Sequence, residues 1–117
     1  MAESGKAIKV GEIRKQYIDW DKTSKCLRML RLDNRNLRRY VCYTLKAKQN
    51  GCNAEDCENC TFDMDSSISQ KELAAVFNVS ESVIVNWESG KTNPPLEELM
   101  FYAQICGLTL DDVIVLQ

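Results

Sequence analysis

The sequence predicts an all-α fold, and three observations carry that expectation. Apolar residues recur at spacings of three and four through residues 37–45, 73–87 and 96–105. Helix starts and stops punctuate them, with Ser69 and Ser80 placed as N-caps and Gly51, Gly90 and Gly107 placed as terminators. Asn78-Val79-Ser80 then leaves a bend of three residues between two short helices, a spacing that makes them cross steeply.

Each element follows in order. Ala7, Ile8, Val10, Ile13, Tyr17, Ile18 and Trp20 hold no single period, so residues 1–21 read as an arm, with a strand over 7–17 interrupted at Gly11. Residues 22–50 form a basic helical region. A helix over 23–32 turns Cys26, Leu27, Leu30 and Met29 inward, and Asp33 or Asn34 caps the next. That helix covers 35–50 with Leu37, Tyr40, Val41, Thr44 and Leu45 on one stripe, and Gly51 stops it. Residues 51–67 form a cysteine-rich loop. Residues 68–117 hold the remaining helices, and 22–117 make one domain. Ser69 with Glu72 has capping-box spacing, ahead of Leu73, Ala74 and Phe77. Ser80 caps a helix with Val83, Ile84 and Trp87 inside and Gly90 at its end. Asn93-Pro94-Pro95 is an extended link. Leu96, Leu99, Met100, Ala103 and Ile105 line a further helix, and Val113-Ile114-Val115-Leu116 ends the chain as helix or strand.

Composition narrows the function. The 117 residues are 44% hydrophobic and 27% charged, with 15 bases against 17 acids and a net charge of −2. A pI near 5.2 argues against a polycation that coats nucleic acid indiscriminately. No apolar run approaches membrane-spanning length and the first residues lack a signal-peptide core, so a soluble, cytoplasmic protein is expected. The chain has no histidine, and its five glycines are too dispersed for a phosphate loop. The usual base near neutral pH is therefore missing, and a binding module is expected rather than an enzyme.

Ser69-Gln70-Lys71-Glu72-Leu73-Ala74, Phe77-Asn78-Val79-Ser80, Ile84, Trp87-Glu88-Ser89-Gly90-Lys91 and Asn93-Pro94 together resemble the lambda repressor/Cro-type (XRE-like) helix-turn-helix family. The resemblance covers residues 66–116. It implies a five-helix domain with an N-terminal arm or extra helix, helix 1 falling at 37–50. It also implies a transcriptional regulator of bacterial or phage type that binds double-stranded DNA, as a homodimer on a two-fold site. The recognition helix would be 80–89, presenting Ser80, Glu81, Ser82, Val85 and Asn86 to the major groove. Asn86 can pair bidentately with adenine, Ser82 suits either base type, Glu81 accepts from cytosine and Val85 meets a thymine methyl. Gln70, Lys91 and Asn93 would hold phosphates. Trp87 reads as core, and Glu88 resembles the family acid that pairs with a helix-1 base, here Lys46.

Two departures follow. From Ser66 onward two bases face seven acids, a balance of −5, and the recognition helix carries no base. Phosphate affinity must then come from elsewhere. Arg28, Arg31, Arg35, Arg38 and Arg39 are the candidates, extended by Lys46 and Lys48; the alternative is a solvated helix face. The acidic half alternatively suits a protein-interaction module docking on a basic partner. The dimer surface is sought in the arm and in residues 113–116.

The second departure is the loop. Cys52, Cys57 and Cys60 are spaced C-x4-C-x2-C, with Cys42 ten residues upstream. Four thiolates can close one structural zinc site. Reduced thiols, a redox disulfide and an iron–sulfur cluster are the alternatives, the last matching the usual spacings poorly. Cys26 is an alternative fourth ligand. Cys26 and Cys106 otherwise read as small hydrophobes.

Overall fold

The computed structural model describes residues 5–47, 51, 53–59 and 67–117. The helices are α1 (Trp20–Asp33), α2 (Arg35–Cys42), α3 (Ala54–Asn59), α4 (Gln70–Phe77), α5 (Glu81–Ser89), α6 (Leu96–Cys106) and α7 (Leu110–Val113). The all-α class is as expected. Among the described residues no helix is long and apolar enough to cross a membrane.

The arm forms no strand over 7–17. It makes a single 3-10 turn at Val10–Glu12, and Ile8, Val10, Ile13 and Tyr17 stay exposed, so nothing rewards regular pairing there. Pairing begins only at its end, where Ile18 forms an isolated antiparallel bridge with Leu116. Asp19 N–H donates to the Val115 carbonyl (2.7 Å), and Gln117 N–H to that of Tyr17 (2.9 Å). The last residues are thus extended, while Val113 closes α7 and is fully buried.

Asp19 starts α1 earlier than expected, because its side chain accepts from Lys22 N–H (3.0 Å). Thr23, Ser24, Leu27 and Arg31 face inward; Met29, placed inside by its sequence position, is exposed. Asn34 caps α2 through Leu37 N–H at 2.8 Å. The helix does not run regularly to residue 50. After Cys42 it widens into a π turn, Tyr43–Ala47, where the Thr44 hydroxyl donates back to the carbonyls of Tyr40 (3.0 Å) and Val41 (3.2 Å). A hydroxyl competing for those carbonyls loosens the regular ladder.

Ser69 and Glu72 form the expected capping box at α4. Asn78 adopts the left-handed conformation (φ 56°), which turns the chain into α5. Asparagine tolerates that region better than most residues. α5 ends at Gly90 (φ 81°) and α6 at Gly107 (φ 72°).

The core lies where α4 and α5 pack together, with α1 laid along α5, and α2 on α6 and α4. Phe77 is its aromatic hub, with ring centroids 4.5 Å from Tyr102, 5.1 Å from Phe101 and 5.9 Å from Trp87. Trp87 is core, as its spacing predicted. On α6 the buried stripe is Leu99, Tyr102, Ala103, Ile105 and Cys106, whereas Leu96 and Met100 face out.

Candidate nucleic-acid interface

α5 offers its outer face to solvent. Glu81, Ser82 and Val85 are exposed and Asn86 is half-buried, while Ile84, Trp87 and Glu88 of the opposite face are in the core. The bend at Asn78 thus leaves Glu81, Ser82 and Val85 outward with Asn86 partly covered beside them, at the spacing of one helix face. Ser80 occupies the N-cap position, but its hydroxyl makes no cap bond; it hydrogen-bonds with the Ser82 hydroxyl at 3.0 Å.

A buried polar network fixes α5 from behind. Arg31 Nε donates to Glu88 Oε2 (2.7 Å) and Arg31 Nη2 to Glu88 Oε1 (3.0 Å), a fork-to-fork pair with the Glu88 side chain only 2% exposed. Arg31 Nη1 donates to the Ile68 carbonyl (2.8 Å), and Gln70 Nε2 donates to Glu88 Oε1 (3.1 Å). Two elements that approach α5, α1 and α4, are thereby tied to one carboxylate.

This network corrects three expectations. The partner of Glu88 is Arg31 on α1, not Lys46, which instead pairs with Glu72 at 3.6 Å. Arg31 is consumed by that pair and is not a surface phosphate contact. Gln70 has its amide donor turned inward to Glu88, away from a phosphate. Arg31 was legible in one respect: it falls four residues after Leu27, and a base on an apolar stripe signals a buried acid nearby.

Ser67 Oγ donates to the Leu32 carbonyl (3.4 Å) and Arg31 reaches Ile68, so the chain leaves α1 and returns to the same point. Residues 34–67, carrying α2 and α3, are an excursion between α1 and α4. The stretch 37–50, expected to be helix 1, carries most of α2 and the π turn Tyr43–Ala47.

The other bases diverge. Arg28 and Arg35 are exposed; Arg38 and Arg39 are half-buried, and Arg38 donates to the Leu32 carbonyl. The five arginines therefore do not form one face. Lys91 and Asn93 are exposed in the loop after α5, held there by Lys91 N–H and Thr92 N–H donating to the Asn86 carbonyl (3.0 and 3.3 Å). Lys46 stands beside the first turn of α4 through Glu72. Lys48 lies outside the described residues.

Of the cysteines, Cys52 and Cys60 lie outside the described residues, as does the side chain of Cys57, although α3 itself packs against α2 and the π turn. Cys42 is half-buried. Cys26 sits against α7, its Sγ 4.0 Å from the Asp112 carbonyl. Cys106 is buried, and burial, then the nearby Cys26, push its thiol up to about 12.

Residues 66–113 match the helix-turn-helix family model. The matched stretch runs from the entry to α4 through α7, and it overlaps the residues that carry the resemblance to the lambda repressor/Cro type. That family is one of DNA-binding proteins and not of enzymes. Neither a curated protein nor a solved structure matches the chain.

Proposed function

We propose that this helix-turn-helix protein is a sequence-specific regulator of transcription that lays α5 in the major groove of double-stranded DNA. The observation that carries the reading is the outward face Glu81, Ser82, Val85 and Asn86 on a helix clamped from inside through Glu88. A rigid ridge of this kind places hydrogen-bonding groups at base edges without an ordering cost on binding. Lys91 and Asn93 flank it and contact phosphates, as do the exposed Arg28 and Arg35. The chain acts as a homodimer on a two-fold site, with the exposed apolar arm, Ile8, Val10, Ile13 and Tyr17, as a candidate surface. Cys42, Cys52, Cys57 and Cys60 hold one structural zinc ion that orders the excursion; metal analysis of the purified protein then gives about one zinc per chain, and less than half a zinc contradicts it.

One feature favours a different partner: α5 exposes Glu81 and no base, within a half of charge −5. A basic protein surface would suit that face. Selection of bound fragments from a random duplex pool separates the two readings. Enrichment of one site supports the regulator, and retention of no duplex at low salt supports the protein partner.

A further inference from the structure

The excursion builds a cavity of about 420 Å³ against the helix-turn-helix body, between α2, α3 and α6. Its volume is in the range of small-molecule sites and far from that of a macromolecular groove. Tyr40, Tyr43 and Phe101 wall it, Tyr40 standing edge-on to Phe101 with centroids 5.9 Å apart. Arg39 lines it and brings the positive charge among its lining residues. The Asn36 amide at one end is already committed, donating to the Cys106 carbonyl at 3.1 Å.

We infer that this cavity binds a small aromatic anion, its ring against Tyr40, Tyr43 and Phe101 and its carboxylate on the Arg39 guanidinium. Three features of the chemistry select that class. A guanidinium among the lining residues engages a planar oxyanion by charge-assisted bonds. Aromatic walls reward a flat apolar body with offset or edge contacts. A cation is disfavoured next to Arg39, although the exposed Glu58 at the rim pulls the other way. The site is independent of the DNA reading: α2 and α3 lie outside the matched residues 66–113.

The test uses the full chain and three isosteric probes: 2-naphthoate, 2-naphthamide and 2-(aminomethyl)naphthalene. Binding is followed by calorimetry and by amide shifts in nitrogen-15 spectra. One saturable site for naphthoate is expected, with shifts at Tyr43 and Phe101, and the neutral amide binds about tenfold more weakly or worse. Arg39→Gln lowers naphthoate affinity to the level of the amide and leaves amide affinity unchanged, a difference that loss of structure would not produce. Glu58→Gln, at an exposed position on the rim, tightens naphthoate binding. The inference is overturned if the amide or the amine binds as tightly as naphthoate, if the shifts map away from α2, α3 and α6, or if Glu58→Gln leaves naphthoate binding equal or weaker.

Discussion

Replacing Arg31 with methionine should unfold this protein more readily than any change on its surface. The substitution keeps most of the aliphatic volume and deletes three charge-assisted hydrogen bonds, two to Glu88 and one to the Ile68 carbonyl. Glu88 would then remain as a carboxylate with 2% of its side chain exposed, held among the described residues by the Gln70 amide alone. At about 1.5–3 kcal/mol for each bond to a charged group, the gross loss is comparable to the whole stability of a small domain. Relaxation returns part of it, and broken buried pairs cost about 3–5 kcal/mol in practice. The double variant Arg31→Met/Glu88→Leu removes the stranded charge with its partner and should cost less than Arg31→Met alone. Urea unfolding followed by the fluorescence of Trp20 and Trp87 measures both, provided the slope of free energy against urea is unchanged. A loss below about 1 kcal/mol for Arg31→Met, the value of an exposed pair, or strictly additive losses in the cycle, would refute the buried-network argument.

Other outcomes follow from the same packing. Gly107→Ala should destabilise by about 1 kcal/mol or somewhat more, since alanine is strained at positive φ; its φ is 72° and a Cβ there would come within 2.6 Å of Asn36 Nδ2. The Asn36 side chain can swing away, so backbone strain dominates, and thermal unfolding against the Gly107→Asn variant, which tolerates the conformation better, checks the cause. Stability should fall as pH rises from about 9 towards 12, because the unfolded chain releases the Cys106 proton near its ordinary value of 9.0 while the folded protein keeps it until about 12. Burial raises Tyr102 in the same direction. Unfolding has then bound fewer protons than the native state, so its free energy declines with pH; urea midpoints across that range should show the decline, and a Cys106→Ala variant should show less of it. Arg28→Ala and Arg35→Ala should each lower the salt dependence of duplex binding by about one unit of slope without changing the preferred site, whereas Ser82→Ala should alter the preferred site and leave the slope alone.

The fold was legible wherever a local rule and the tertiary packing agree. Ser69 with Glu72, the bend at Asn78, and the glycines at 90 and 107 are determined within a few residues of themselves, and each stands where its sequence placed it. Inward stripes were legible only in part. Leu96 and Met100 fit the period of α6, yet the core takes Tyr102 and Cys106, because the approach of α2 and α7, not the helix itself, decides which side is covered. The candidate site divides the same way. Glu81, Ser82, Val85 and Asn86 face outward because their helix has an unmistakable inner side in Ile84 and Trp87. Arg31 was miscast because charge patterning along a helix does not say which base meets an acid 57 positions later. Lys46 satisfied the same spacing and sits on Glu72 instead. The widening after Cys42 depends on a hydroxyl at Thr44 that helix periodicity treats as neutral.

Selection of bound duplexes by the full chain, repeated with Asn86→Ala, addresses the role of α5 most directly. The wild-type pool should converge on one site, and the variant should lose its preference at a single base pair, at a cost of about 1–3 kcal/mol there, while binding unselected duplex as before. A pool that never converges, or one whose preferences are the same with and without the Asn86 amide, would contradict the placement of that helix face in the groove.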